Sequence, residues 1–359
     1  MRIIHTADLH LDSALTTRLS ADRVQERKRE LLASFRNNII EAEKLGAAAF
    51  IIAGDLFDSE KATASSVRML FEIIESKPNM IFFYLYGNHE GRLIVDSGAK
   101  LPENLKLFGD GWTYFRIGDV TITGRCETAR DMFQTLTLDE GKANIVVLHG
   151  ELCDRSDEGG KIGIKEMENL PIDYLALGHY HNYKETKITQ RTTAVYSGTP
   201  EGRGFDEVGD KGIVLLETTP YGIRNEFIKT AKRTLHIVKA DITNAMRGID
   251  IEDAVEWAIR GCSREDIVRV LLTGERALSD RIDSETVIEE LNKRFTGRFY
   301  YIEFKDELKT KISAEEFKND RSLKGEFIRS VIADESLGED KKEKIIRLGL
   351  KALLGESID

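Results

Sequence analysis

The chain has 359 residues, 41% hydrophobic and 32% charged, with a formal net charge of -10. That composition builds a packed core for about two domains and excludes intrinsic disorder over most of the length. No run approaches the ~18 apolar residues of a membrane span. The acidic balance, denser in residues 241–359 (21 Lys+Arg against 27 Asp+Glu) than in 1–240 (31 against 35), excludes a basic coat that holds nucleic acid by charge alone.

The first 190 residues repeat one unit: a short apolar, β-branched run that stops abruptly at Gly, Asp, Asn or His. The runs are Arg2–Ala7, Ala48–Ala53, Met80–Tyr86, Ala143–Leu148 and Asp173–Leu177, and each predicts a buried strand. Two helices are predicted between them. Ala21–Leu45 carries Leu31, Leu32, Phe35, Ile39 and Ile40 at helical spacing, and Ala64–Ser76 carries Val67, Leu70, Ile73 and Ile74. Strand–helix alternation predicts an α/β core. From Lys187 to Phe227 short strands and Gly turns predict a sheet meander that closes the first domain. A β-α-β-α-β unit follows: strand Leu235–Ala240, helix Ile251–Arg260, strand Ile267–Leu272, helix Ser284–Phe295 and strand Phe299–Phe304. The last 55 residues read as helical, with Leu323, Phe327, Ile328, Val331 and Ile332 on one face and Ile345, Ile346, Leu350, Leu353 and Leu354 on a later one. Asp334–Asp340 is an acidic break between them. The expected domains are 1–232, 233–304 and a helical tail, 305–359. Cys126, Cys153 and Cys262 are far apart with no CxxC, and MRIIHTADLH lacks a secretory layout. Both predict a reducing compartment, with the cytoplasm as the default address.

Five of the seven histidines fall directly at the ends of the apolar runs. The segments are Asp8-Leu9-His10, Gly54-Asp55-Leu56-Phe57-Asp58, Gly87-Asn88-His89-Glu90, His149-Gly150-Glu151 and Gly178-His179-Tyr180-His181. The carboxyl ends of strands in an α/β sheet converge on one rim, so these side chains are expected in one pocket. Asp, His and Asn without Cys form an N/O ligand set, suited to Mn, Fe, Zn or Mg. In extended backbone the i, i+2 spacing of Asp8/His10 and of His179/His181 puts each pair on one side. Seven ligands suit two ions, an established arrangement for displacement at phosphorus.

The ordered set DLH, GDLFD, GNHE, HGE and GHYH over residues 8–181 resembles the calcineurin-like metallophosphoesterases. Within them the chain is similar to the DNA-repair exonuclease branch, the SbcD type, through IIHTADLHL, GDLFDS and YSGTPEGRGFDE. The resemblance implies a four-layer αββα sandwich with a small α/β capping domain, matched to 233–304, and a helical C-terminal tail. Carried over by residue, it implies one ion held by Asp8, His10, Asp55 and His181, and a second held by Asp55, Asn88, His149 and His179. The ions would be manganese first, with iron, zinc or magnesium as alternatives. His89 would stabilise or protonate the leaving oxygen, and Asp58 would orient and charge that histidine. Some relatives have His where Asp58 stands, so no second catalytic histidine is implied, and GNHE replaces the branch's GNHD.

The implied activity is Mn-dependent exonuclease or endonuclease hydrolysis of DNA phosphodiesters. The implied partners are DNA ends and an SbcC-like ABC-type ATPase docked through C-terminal helices. A homodimer through 21–45 or 64–76 is the implied oligomer. Two alternatives stay open: a small-molecule phosphodiesterase or phosphomonoesterase, which the acidity favours, and an architectural DNA-end-binding subunit, which the complete ligand set disfavours. His5, of opposite strand parity to Asp8 and His10, reads as packing, and His236 as structural. Glu90 and Glu151 read either as groups that orient histidines or as surface residues. Arg92 and Arg203 read as phosphate contacts or as structural, and Tyr180 as a substrate contact or as packing.

Overall fold

The structure, a computed structural model, describes residues 1–11, 13, 15, 19–58, 64–87, 94, 98–156, 160–277, 284–311 and 320–354. It divides into two compact units, Met1–Leu235 and His236–Asp359. No helix among the described residues is long and apolar enough to cross a membrane.

The first unit begins with β1 (Arg2–Thr6), α1 (Ala21–Lys44), β2 (Ala49–Ala53), α2 (Ala64–Glu75) and β3 (Ile81–Leu85). Next come β4 (Leu105–Leu107), β5 (Thr113–Ile117), β6 (Val120–Gly124), a 3-10 turn at Met132–Thr135, β7 (Ala143–His149), β8 (Glu151–Cys153) and β9 (Lys161–Gly163). It closes with β10 (Tyr174–Gly178), β11 (Lys184–Lys187), β12 (Thr193–Tyr196), β13 (Gly212–Thr219) and β14 (Gly222–Lys229). Two six-stranded sheets result, in the orders β14-β13-β1-β2-β3-β4 and β11-β12-β10-β7-β6-β5. Strands β1 to β4 run parallel, and so do β6, β7, β10 and β12.

Both faces of the central strands are apolar, which is why they read as unbroken runs. Ile3, Ile51, Phe83 and Leu85 meet Ile122, Ile145, Val147, Ala176 and Val195 in a core between the sheets. Their neighbours of opposite parity, Ile4, Phe50, Ile52 and Phe82, pack under Phe35 and Ile39 of α1 and Val67 and Leu70 of α2. The outer face of the second sheet (Val146, Leu148, Leu175, Leu177) is covered by Met132 and Phe133 of the 3-10 turn with Met167 and Ile172. The fold is thus the expected α/β sandwich, with its fourth layer built from a short turn and loops among the described residues.

The expected meander over 187–227 is corrected. β12 joins the second sheet parallel to β10, while β13 crosses to the first and pairs antiparallel with β1. Two hairpins flank this crossing, β11–β12 and β13–β14. The glycine-rich stretch between β12 and β13 is a crossing rather than a turn.

The second unit carries most of β15 (Leu235–Asp241), then α3 (Gly248–Ile259), β16 (Ile267–Ala277), α4 (Ser284–Phe295), β17 (Tyr301–Lys311), α5 (Leu323–Ile332) and α6 (Glu339–Leu354). Its sheet order is β15-β16-β17. Val268, Val270 and Leu272 pack with Ile251, Val255, Leu291 and Phe295. The strand expected at Phe299–Phe304 runs instead from Tyr301 to Lys311, in register with β16 through Ala277. Lys305–Lys309 carries four charges in five residues, so backbone pairing rather than apolar burial extends that strand. Helices α5 and α6 pair through Ile328, Val331, Ile346 and Leu350.

Candidate metal centre

Four of the five predicted strands end on residues that the structure describes at the site. The loop after β1 is zipped to the loop after β2 by Asp8 N to Gly54 O, His10 N to Asp55 O and Leu11 N to Leu56 O, each 3.0 Å. The expectation that extended backbone aligns these side chains is corrected. Asp8, His10, Asp55 and His179 have φ of 53°, 44°, 51° and 105°. Each turns its side chain by a left-handed backbone step that costs on the order of 1–3 kcal/mol in a non-glycine residue. Four such residues at one rim mark a place where the fold holds strain for chemistry.

The side chains converge. Asp8, His10 and His181 bring their ligand atoms within 4.8 Å of one another, and Asp8, Asp55 and His149 form a second such group. Asp8, His10, Asp55 and His149 are each at most 2% exposed. Asp55 Oδ2 stands between the groups, 3.7 Å from His10 Nε2 and 3.3 Å from His149 Nε2. His10 Nε2 and His181 Nε2 are 3.3 Å apart. His179 enters differently: its backbone N–H donates to both oxygens of Asp8 at 2.9 and 3.1 Å. Its exposed ring lies 5.6 Å from that of His149. Asn88, His89, Glu90 and Arg92 lie outside the described residues.

Each of the three converging histidines turns its Nδ1 toward an oxygen and its Nε2 inward. His149 Nδ1 donates to Ala53 O at 2.9 Å, His181 Nδ1 faces Glu207 Oε1 at 2.8 Å, and His10 Nδ1 lies 2.9 Å from Asp58 Oδ1. An oxygen behind Nδ1 fixes the tautomer that leaves Nε2 free to ligate a metal. His149 Nε2 is buried and faces the buried carboxylate of Asp55. An imidazole nitrogen and two carboxylates gathered in one buried place form an N/O donor set that fits a divalent ion.

The electrostatics agree. Burial pushes the Asp8 carboxyl up to about 6, against the pull of His149 and His181. Burial opposes the imidazolium of His149, yet Asp55 and Asp8 outweigh it and hold the ring up at about 9. His181 is raised by its hydrogen bond to Glu207. Glu207 is brought down to about 2, because the bonds from His181 and Arg203 exceed the cost of its burial. Burial and then the charge of His149 lower His179. Divalent ions would displace the protons that this acid–base cluster otherwise retains.

Close approach dictates two motif glycines. A Cβ on Gly87 would fall 2.0 Å from Asp55 Oδ1, and one on Gly54 would fall 2.1 Å from His149 Nδ1.

Asp58 stands against His10 and, at 3.7 Å, against Arg203 Nη1. Arg203 clamps Glu207 through Nε at 3.0 Å, so it bridges the two carboxylates behind His10 and His181. Lys211, 1% exposed, donates from Nζ to His181 O at 2.8 Å. The sequence reading gave no role to Glu207, the last residue of YSGTPEGRGFDE, or to Lys211 four positions later. His5 does pack: it is buried, 2.9 Å from Tyr174 OH, and burial lowers it to about 3. His236 pairs with Asp266 at 3.0 Å.

The model of the calcineurin-like phosphoesterases matches residues 1–183. The uncharacterized metallophosphoesterase YhaO of Bacillus subtilis is 25% identical over 262 residues, covering 68% of this chain and 64% of its own. The SbcD component of the nuclease SbcCD of Staphylococcus epidermidis is 24% identical over 321 residues, covering 78% and 81%. The DNA double-strand break repair protein Mre11 of Methanosarcina mazei is 25% identical over 237 residues, covering 62% and 37%. The chain spans less than two thirds of the YhaO and Mre11 lengths. The match runs through the last of the five strand-end motifs, and four of those motifs supply the residues described at this Asp/His centre. The chain belongs to the calcineurin-like phosphoesterases, a family of metal-dependent hydrolases.

Proposed function

We propose that this chain is a DNA nuclease that hydrolyses phosphodiester bonds with two divalent ions, manganese first, as the partner of an SbcC-like ATPase. The observation that carries the phosphoesterase half is the pair of ligand groups that share Asp8, with Asp55 between them. The nuclease half is supported by relatives whose names are those of nuclease and strand-break repair proteins. Asp8, His10, Asp55 and His181 would hold one ion, and Asp55, Asn88, His149 and His179 the other. Bound there, the ions would activate water and neutralise charge developing on the phosphoryl oxygens. Asp58, Glu207 and the Ala53 carbonyl keep the ligating rings in one orientation. Arg203 holds Asp58 and Glu207 together. His89 would pass a proton to the leaving oxygen. Residues 233–304 would act as the capping domain and the C-terminal helices as the ATPase dock.

The test uses protein stripped of metal and resupplied with Mn²⁺, given end-labelled linear duplex DNA, with and without an SbcC-like ATPase. Product ladders from the wild type and none from Asp55→Asn are expected. Turnover of bis(p-nitrophenyl) phosphate with no cleavage of DNA in either arm would sink the nuclease half. A small-molecule phosphoesterase would then stand in its place, a reading that the net charge of -10 favours.

A further inference from the structure

Tyr180 lies between His179 and His181, just past the end of β10, and is 41% exposed. Its ring is nevertheless held. It meets Tyr196 edge to face, with centroids 4.8 Å apart at 86°. Tyr196 is 1% exposed and is itself pinned, accepting from Leu152 N at 2.8 Å and donating to Gly150 O at 3.0 Å. The Tyr180 hydroxyl donates to Glu151 Oε1 at 3.2 Å. Lys184 Nζ lies 5.8 Å from its ring centroid. The ring also stands 5.6 Å from that of His179, whose backbone N–H is bonded to Asp8.

Ordering a large aromatic side chain in a half-exposed place costs rotamer entropy and gains little burial. Contacts with Tyr196, Glu151, Lys184 and His179 fix this one on the rim of the ligand groups. A rigid aromatic surface with an ammonium beside it is suited to a stacked base on a phosphate backbone. We propose that Tyr180 is a substrate-positioning residue that stacks on a base of the nucleic-acid strand next to the scissile phosphate. This rests on the nuclease reading and adds to it the part of the substrate that the site reads.

The test compares wild type, Tyr180→Ala and Tyr180→Phe, all loaded with Mn²⁺, on a DNA oligonucleotide and on an abasic oligonucleotide of the same length. Stacking is worth about 1–3 kcal/mol per base, which is roughly 5- to 150-fold. Tyr180→Ala should therefore raise KM for the intact strand at least about fivefold and leave the abasic strand unchanged. Tyr180→Phe should restore wild-type KM. Equal losses on both strands would assign Tyr180 a purely structural role and overturn the proposal. So would an unchanged KM on the intact strand. Wild-type turnover of bis(p-nitrophenyl) phosphate with no cleavage of either strand overturns the nuclease reading itself, and this proposal with it. Melting curves and metal content of each variant separate a folding defect from a lost contact.

Discussion

Replacing Arg27 with methionine tests whether a buried ionic cluster behind the site is a structural keystone. Arg27 lies on α1 and is 1% exposed. It bonds Glu30, Glu201 at 3.1 Å and the carbonyl of Gly202 at 2.7 Å. Arg233 and Lys232 complete the cluster on Glu30. Methionine fills most of the volume and removes the charge. Glu30 keeps two cationic partners. Glu201, 1% exposed, keeps the backbone N–H groups of Lys232 and Arg233 at 2.7 and 3.3 Å. A buried carboxylate that loses its guanidinium costs about 3–5 kcal/mol. Glu201→Gln added to Arg27→Met should recover about 1–3 kcal/mol, a coupling typical of contacting charges. Urea unfolding reads this in a Trp257→Phe background. That change leaves Trp112, which is in the first unit, as the sole tryptophan. A loss below about 1 kcal/mol for Arg27→Met, or strict additivity in the double variant, would refute the reasoning.

Three further outcomes are expected. His5 is near 3 in the folded state against 6.5 as a free side chain, so the unfolded chain binds the extra proton. Its contribution is complete above pH 6.5 and is lost as pH falls from there toward 3. Between pH 6.5 and 4.5 the wild type should lose about 2 kcal/mol more than His5→Gln in urea melts, and equal losses would refute this. Glu207→Gln removes the carboxylate behind His181 and should weaken Mn²⁺ binding about 10- to 100-fold in calorimetric titration while the protein stays folded. An unchanged affinity would deny Glu207 that role. Gly87→Ala should displace Asp55 and cut bound metal per chain, read by elemental analysis. Full occupancy would show that Asp55 can move without consequence.

The strands that carry the site were legible because both of their faces are buried, so the apolar runs are continuous and end where the chemistry starts. The left-handed turns at Asp8, His10 and Asp55 were not legible, since aspartate and histidine enter that region without a compositional sign. The hairpin β5–β6 also went unread: β5 alternates half-buried and exposed residues, so no apolar run marks it. Charged residues such as Arg27 and Glu30 ordinarily form the solvent face of an amphipathic helix. Only the approach of residues 201–202 and 232–233, about 170 to 200 positions away in sequence, makes that face interior. Glu207 escaped for the same reason, because its partners His181 and Arg203 come together only through the crossing between the sheets.

That crossing has a consequence for how the protein is made. β1 leaves the ribosome long before one of its two neighbours, β13, which begins at Gly212. At about 5–20 residues per second the interval between them is on the order of 10–40 s. Until β13 arrives, one edge of β1 has unpaired amides and carbonyls, the kind of edge that recruits other chains. A fragment ending at residue 183, where the match to the calcineurin-like phosphoesterase model ends, would keep that edge open permanently and would also lack Glu201 and Glu207. It should aggregate rather than fold. The smallest chain that closes the sheet must reach past β13, so Asp8 and His10, just after β1, must wait during synthesis for the segment that pairs its open edge.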